Sequence, residues 1–369
     1  MHTTKLSPLH GGPPHCPNPN CKYHMPQHAP WPVVRFGHFR RLQAPRVIQR
    51  YRCRACGRCF SDQSFAASYW LKRADLLLQV HKLATTGAAN RQIARSLAAA
   101  PATVDNLLAR LGRHCLLFHR HIVADLSPRR DISLDGLVTF EHSQFLPYEL
   151  VAVVDRPSSF VLHLAEAERR RSGTMTEPQR RKRQLLERLY GRPDPDALTR
   201  ACAECLQVAL RGSRQADLYT DKHKAYPPVV ARMTGCTIRH EQIDSRAPRT
   251  AHNPLFEVNL LDMLLRHCLK DHTRETIAFG KRRANSLYRA AVFIVWRNCI
   301  KLRRERRCRQ TPAMAIGALA RRLTEQDVLS RRLFVGHAEL TPLWEDYYWR
   351  RLATRVLKVN RVHALRYAA

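Results

Sequence analysis

The sequence has few acidic residues and no long apolar run. Its 369 residues include 30 Asp+Glu against 63 Lys+Arg, which gives a formal net charge of +33. The longest apolar run covers residues 290–296, whereas a membrane-spanning helix needs about 20 apolar residues. A charge of this size exceeds what solubility requires and is typical of proteins that bind a polyanion. We therefore expect nucleic acid as the partner and no association with a membrane.

The sequence also lacks the apolar core of a secretory signal peptide. Residues 1–16 are rich in proline, glycine and histidine instead. We therefore expect a soluble, cytoplasmic protein whose 12 cysteines are reduced thiols or metal ligands rather than disulfides. With 44% hydrophobic residues the chain has a globular composition, and its length allows two or three structural units.

Cysteine is concentrated near the start of the chain. One pair, Cys16 and Cys21, and a second pair, Cys53 and Cys56, each lie on a predicted turn, with 31 residues between the pairs. Short alternating segments at residues 33–37 and 48–52 predict strands between them. Four thiolates suit a tetrahedral Zn²⁺ ion, so the layout predicts a zinc ribbon with one structural zinc. Alternative ligands close by are Cys59, His15, His24 and His28.

A helical segment follows the cysteines. Periodic apolar residues predict helices at residues 75–83, 90–97 and 103–111, and a turn of small residues separates the last two. This is the pattern of a helix-turn-helix, whose second helix enters the major groove of DNA. A helical hairpin that only packs is the alternative. Our candidate DNA contacts in this module are Arg91, Arg95, Thr103 and Arg110.

After residue 128 the pattern changes from helical to alternating. We predict strands at residues 132–140, 148–154 and 160–164, a helix at 198–210, a fourth strand at 215–221 and a helical region at 253–307. Three strands, a helix, a strand and further helices is the order of an RNase H-like α/β fold, a mixed sheet flanked by helices.

In such a fold, acidic residues at strand ends converge on one edge of the sheet. Asp135 lies on the first strand, Asp221 ends the fourth, and Glu257 lies in the opening turns of a helix with Asn253 as its predicted N-cap and Pro254 in its first position. Three carboxylates suit two Mg²⁺ or Mn²⁺ ions roughly 4 Å apart, which activate the attacking oxygen and stabilise the leaving one.

Structural explanations exist for each acid. Asp135 and Gly136 also fit a hairpin turn, Asp221 could cap a turn, and Glu257 is favourable near a helix N-terminus. Other carboxylates that could replace one of the three are Asp131, Asp155, Asp217, Asp262 and Glu275.

In these segments and their order, the chain resembles bacterial insertion-sequence transposases of the DDE class, of the InsA/InsB-like type. The resemblance covers about residues 16–300 and is carried by residues 51–60, 134–137, 219–226, 256–259 and 274–282. It departs from the family at Gly136, where a Glu is frequent, and at Cys59, where a Thr is usual.

The resemblance implies a zinc ribbon at residues 1–66, a DNA-binding helix-turn-helix at 67–128, a catalytic domain at 129–300 and a basic helical segment at 301–369. It implies metal-dependent cleavage at terminal inverted repeats and transfer of the freed 3′-hydroxyl into target DNA, with Asp135, Asp221 and Glu257 as the catalytic and metal-binding triad. It also implies a homo-oligomer on double-stranded DNA, because two element ends must be cut together. The implied location is the cytoplasm, in association with the nucleoid.

Three basic residues, Lys281, Arg282 and Arg283, lie between the triad helix and the next helix, and we predict that they contact DNA near the active site. The main rival function is that of an inactive, domesticated transposase acting as a sequence-specific DNA-binding regulator. A recombinase with a covalent tyrosine is disfavoured, because its His, Arg and Tyr would be crowded into residues 363–367.

Overall fold

The protein is a mixed α/β structure with two separate sheets. The computed structural model describes residues 12–25, 30–41, 45–244, 246–305 and 308–360. The predicted fold class is therefore confirmed at the level of a mixed sheet flanked by helices, with a cysteine cluster near residues 16–56. His28, one of the alternative zinc ligands, lies outside the described residues.

The smaller sheet is antiparallel and contains the two strands predicted beside the cysteines. Its strands are β1 (Val33–Arg40), β2 (Val47–Cys53) and β3 (Cys59–Ser61), in that order. Two 3-10 helices flank it, at Lys22–His24 and Asp62–Phe65. Its small apolar core contains Tyr51, Phe60 and Phe65 together with Phe334 from much later in the chain. So small a core is consistent with a need for additional cross-linking.

The larger sheet has five strands in the order β6-β5-β4-β7-β8. They are β4 (Asp131–Phe140), β5 (Pro147–Asp155), β6 (Phe160–Glu168), β7 (Gln215–Asp221) and β8 (Thr237–Ile243). The pairs β4–β5 and β5–β6 are antiparallel, whereas the pairs β4–β7 and β7–β8 are parallel. The four predicted strands are all present, and β8 is an additional one at the edge.

Eleven α-helices occur in the described residues. They are α1 (Leu76–Leu83), α2 (Asn90–Ser96), α3 (Pro101–Ala124), α4 (Glu177–Tyr190), α5 (Ala197–Ala209), α6 (Tyr226–Ala231), α7 (Phe256–Cys268), α8 (Arg283–Val295), α9 (Pro312–Ala315), α10 (Glu325–Val328) and α11 (Pro342–Tyr348). A π-helical turn, Trp296–Ile300, continues α8. Within the described part of the chain, no helix has the length and apolar character needed to cross a membrane.

One hydrophobic core runs from α1 through the larger sheet to α11. Helix α3 packs closely on α8, because a Cβ on Gly112 would lie only 2.4 Å from the Cβ of Tyr288. The C-terminal segment belongs to this core: Trp344 is buried, and its Nε1 donates to the carbonyl oxygen of Leu164 at 2.5 Å. The core is therefore continuous across residues 128 and 300, which are two of the predicted domain boundaries.

The predicted start of the helix that carries Glu257 is wrong. Helix α7 begins at Phe256 with Leu255 as N-cap, not after Asn253. The side chain of Asn253 instead accepts a hydrogen bond from the backbone N–H of Leu255 at 2.8 Å, so it closes a turn before the helix. The helix α4, for which we made no prediction, lies in the basic segment after β6.

Candidate active site and metal centre

The four predicted zinc ligands lie together. The Sγ atoms of Cys16, Cys21, Cys53 and Cys56 are all within 4.8 Å of one another, with 3.6 Å between Cys16 and Cys56 and 3.9 Å between Cys21 and Cys53. Cys59 is exposed on β3 and outside this cluster. Because four thiolates at such distances match the donor set of a tetrahedral site, the cluster is consistent with a structural zinc site.

The surroundings of Cys53 favour its thiolate form. Burial raises the pKa of Cys53, but hydrogen bonds from the Trp31 indole and from the backbone of Cys56 and Ala55 outweigh it, and the pKa falls to about 7. The Trp31 Nε1 lies 3.3 Å from the Cys53 Sγ. Thiolate is the form that binds a metal ion, so this indole assists the cluster as an outer-shell donor.

The parallel pairing of β4 with β7 brings two of the predicted acids to the same level. Asp131 pairs with Asp217 and Ser133 with Tyr219, so the same register, continued by two residues, puts Asp135 beside Asp221. The pKa of Asp135 is raised to about 6, mainly by burial and also by the charge of Asp221, although a hydrogen bond from the backbone of Gly136 lowers it. Asp221 ends its strand, and its Oδ1 accepts from the backbone N–H of His223 at 2.9 Å.

A third acid that interacts with this pair is Asp262 of α7, one of the predicted alternatives to Glu257. Burial raises the pKa of Asp262 to about 8, and the charge of Asp135 contributes to the shift. The charge of Glu257 acts instead on Arg297, where it opposes the lowering of the arginine pKa by burial. Asp262 and Glu257 both belong to α7, but they are five residues apart and so point in different directions from the helix.

A fourth carboxylate, Glu149 of β5, was not predicted. Burial raises the pKa of Glu149, Arg169 lowers it, and the charges of Asp135 and Asp221 raise it. Gly136 leaves the room for this side chain, because a Cβ there would lie 1.9 Å from the Glu149 Oε1. Sequence reasoning missed Glu149 because it lies within an apolar segment that is typical of an ordinary buried strand.

The other alternative acids are engaged elsewhere or exposed. Asp131 forms an ion pair with Arg156 at 2.6 Å, and Asp217 pairs with Arg239 at 2.6 Å. Asp155 accepts hydrogen bonds from the hydroxyl and backbone N–H of Ser158, and Glu275 is exposed in a turn with a φ of 52°. None of these four is among the charged groups that act on the pKa of Asp135, Glu149 or Asp262.

The carboxylates form an open group. In the described part of the chain, no three of them have oxygens within 4.8 Å of one another. A Mg²⁺ ion keeps several waters and is usually held by one or two carboxylates together with substrate phosphates, so it does not require a closed protein cage. Asp135, Asp221 and Asp262 provide the hard oxygen donors that such an ion prefers.

The predicted helix-turn-helix residues differ in accessibility. Arg91 and Arg95 are exposed on α2, and Thr103 is half-buried in the first turn of α3. The Nη1 of Arg110 donates to the carbonyl oxygen of Ala67 at 3.0 Å, and burial lowers its pKa to about 10. Arg91 and Arg95 therefore have the accessibility that a phosphate contact requires, whereas Arg110 is already bonded within the fold.

The three basic residues at the start of α8 also differ in accessibility. Lys281 is exposed, and Arg282 is half-buried and donates to the carbonyl oxygen of Val359 at 2.7 Å. Arg283 is buried, with its Nη1 3.1 Å from the Glu166 carboxylate. Its Nη2 is 2.9 Å from the carboxylate of Glu168, so its charge is balanced inside the protein.

No protein-family model matches this chain, and no curated protein is significantly similar to it. Its function must therefore be argued from the residues and their geometry.

Proposed function

We propose that this protein is a DNA transposase of the DDE class, built on an RNase H-like sheet with a zinc ribbon and a helix-turn-helix before it. The observation that carries the proposal is the adjacent placement of Asp135 and Asp221 on parallel strands, with Asp262 of α7 near Asp135. The sheet supports it as well, because three antiparallel strands are followed by two that pair in parallel.

In the proposed reaction, the two strand acids and Asp262 would hold two Mg²⁺ or Mn²⁺ ions at the scissile phosphate. The ions supply activation of the attacking oxygen and stabilisation of the leaving oxygen in an in-line displacement at phosphorus. In the metal-free protein, burial raises the pKa values of Asp135 and Asp262 because it disfavours their charged forms. A bound cation would offset this cost by neutralising the repulsion between the two carboxylates. Glu149 and Arg169 would position this group from β5 and the end of β6.

The four cysteines would hold one structural Zn²⁺ ion, and the exposed Arg91 and Arg95 would contact the phosphates of the element ends. Zinc bound by the cysteines stabilises a module whose own apolar core is small. A net charge of +33 supports a nucleic-acid partner for the whole chain. Assembly of at least two copies on DNA is part of the proposal, because both ends of an element are cut together.

The test uses purified protein, Mg²⁺ or Mn²⁺, and linear DNA carrying the sequences that flank the gene. We expect nicking and joining by wild type and a loss of more than about 100-fold in Asp135→Asn, Asp221→Asn and Asp262→Asn, because removing even an outer-shell partner of a metal ligand costs 10–100-fold. Glu257→Gln is the matched control and should retain activity.

Wild type that neither nicks nor joins this DNA, or an Asp221→Asn variant as active as wild type, would contradict the proposed reaction. Specific binding of the flanking DNA without any cleavage would identify the protein as a DNA-binding regulator instead. Loss of activity in Glu257→Gln together with full activity in Asp262→Asn would make Glu257 the third acid.

A further inference from the structure

Three histidines lie together where the small sheet meets the C-terminal part of the chain. His15 precedes the small sheet, His24 ends the 3-10 helix Lys22–His24, and His337 ends the 3-10 helix Val335–His337. One ring nitrogen from each lies within 4.8 Å of one from each of the others. The ring centroid of His337 is 4.4 Å from that of His15 and 4.5 Å from that of His24. This histidine cluster joins residues that are 313 positions apart in sequence.

Each ring has one nitrogen occupied by a backbone carbonyl. The Nδ1 atoms of His15 and His24 both donate to the carbonyl oxygen of Cys16, at 3.0 and 2.8 Å. The Nε2 of His337 donates to the carbonyl oxygen of His24 at 2.8 Å. A neutral imidazole that donates through one nitrogen carries its lone pair on the other, so these bonds leave His15 Nε2, His24 Nε2 and His337 Nδ1 as acceptors.

The free nitrogen of His24 has no partner. His24 is 2% exposed, and its Nε2 is buried without a hydrogen bond in the described structure. A buried polar atom without a partner is costly and requires an explanation, such as an ion. Gly336 leaves space at this atom, because a Cβ there would lie 2.7 Å from the His24 Nε2.

We propose that His15, His24 and His337 form a second metal site that binds Zn²⁺ or a similar transition-metal ion. Three imidazole nitrogens without a carboxylate suit Zn²⁺, Co²⁺ or Ni²⁺ rather than Mg²⁺. The donation of each second nitrogen to a carbonyl is the outer-shell arrangement usual for metal-binding histidine. Three protein ligands leave a fourth position for water.

The histidine cluster is packed between aromatic rings and the cysteine cluster. The rings of Phe65 and Phe334 contact His15 edge-on, with centroids 5.3 and 4.9 Å from the imidazole. The carbonyl oxygen of Cys16 orients two of the histidines, while its Sγ belongs to the cysteine cluster. An ion at the histidine cluster would thus tie residues 335–337 to the small sheet, and this gives the C-terminal segment a role that is independent of DNA chemistry.

The test is metal content and cobalt spectroscopy of the full-length protein after metal removal and reconstitution with Zn²⁺ or Co²⁺. Wild type should bind about two Zn²⁺ per chain, one at each cluster, and His337→Ala about one. Gly336→Ala should also bind about one Zn²⁺. It keeps all three histidines, but its added Cβ would crowd the His24 Nε2. His38→Ala, an exposed histidine of β1, is the control and should bind about two.

The remaining ion can be assigned by its ligands. Cobalt in Cys53→Ser with Cys56→Ser should give visible bands without thiolate-to-cobalt charge transfer, whereas cobalt in His337→Ala should keep that charge transfer. Equal zinc content in wild type and His337→Ala would overturn the proposal. This comparison remains decisive if the double cysteine variant does not fold, and it does not depend on transposase activity.

Discussion

A single missing side chain, that of Gly136, leaves room for a carboxylate beside the acidic group. The Glu149 side chain occupies the space that a Cβ on residue 136 would need. Glu149 is also held by Arg169, whose Nε lies 3.1 Å from its carboxylate. The pair Asp135-Gly136 is therefore a position within a strand and not a hairpin turn, since both residues pair with β5.

Replacing Gly136 with Ala should force the Glu149 carboxylate to move and weaken its ion pair with Arg169. We expect a loss of about 1–3 kcal/mol in the free energy of unfolding, the usual cost of overpacking a buried position. Denaturant unfolding measures it. The double variant Gly136→Ala with Glu149→Ala should recover much of the loss, and an equal loss in both variants would contradict this account.

The raised pKa values of Asp135 and Asp262 predict a pH dependence of the metal-free protein. A carboxyl group whose pKa is higher in the folded state binds more protons there than in the unfolded state, so its contribution to stability falls as pH rises. The fall extends from about 4, the ordinary Asp value, through about 6 for Asp135 and about 8 for Asp262.

Asp262→Asn should therefore become increasingly more stable than wild type between pH 6 and about 8, the pKa of Asp262. Adding Mg²⁺ or Mn²⁺ should reduce this difference by stabilising wild type. Thermal or denaturant unfolding of both proteins across this range measures it, with Glu257→Gln as the comparison. A difference in stability between the two proteins that does not change with pH would argue against a buried Asp262 with a raised pKa.

At the scale of elements, the helix α2 is attached to α8 by one buried arginine. The Nη2 of Arg289 donates to the carbonyl oxygens of Ala84 and Ala88 at 2.9 and 2.8 Å. Its Nη1 donates to the Asn90 side chain at 3.1 Å, and Asn90 in turn donates to Asp105 of α3 at 2.6 Å. The orientation of the predicted helix-turn-helix is thus coupled to the helix beside the larger sheet.

Arg289→Met should destabilise the protein by about 2–4 kcal/mol, because two buried carbonyl groups lose their donor. Hydrogen exchange should show the largest loss of protection in α2. Arg91→Met, on the exposed face of the same helix, should stay within about 0.5 kcal/mol of wild type. Similar losses in the two variants would show that Arg289 does not attach α2 to α8.

The sequence predicted elements whose periodicity is strong and missed those whose periodicity is weak. The bounds of β7 agree with the prediction, since its buried residues alternate. Strand β8 is a largely exposed edge strand, and α4 has no buried residue, so neither has an apolar face that a sequence pattern reveals. Glu149, Asp262 and His337 join their groups through tertiary packing, which spacing along the chain does not encode.

At the scale of the whole molecule, a positive protein surrounds an acidic centre. The net charge is +33, yet the charge of Asp135 raises the pKa of both Glu149 and Asp262, and the charge of Asp221 raises the pKa of Asp135 and of Glu149. Part of the positive charge is internal, as with Arg283 among its glutamates. Only the exposed part is available to DNA, so the total charge overstates the number of phosphates that the protein can neutralise.

Replacing Arg91 and Arg95 with Ala together should weaken DNA binding and reduce its salt dependence. The slope of log K against log salt should fall by about 0.9 for each phosphate that the variant no longer neutralises, nearly independently of DNA sequence. Fluorescence anisotropy over a salt series measures it. The control, Arg73→Ala with Arg321→Ala, removes exposed arginines already paired with aspartates and should change the slope less.

The contact between the small sheet and residues near 337 has a consequence for synthesis in the cell. Phe334 completes the apolar core of the small sheet, and the backbone N–H of Arg332 donates to the carbonyl oxygen of Phe65 at 2.7 Å. Ribosomes add about 5–20 residues per second, so the partner segment follows the small sheet by tens of seconds. During that interval the apolar face of the small sheet that Phe334 covers is exposed. We expect a chaperone at the ribosome exit to bind such a surface.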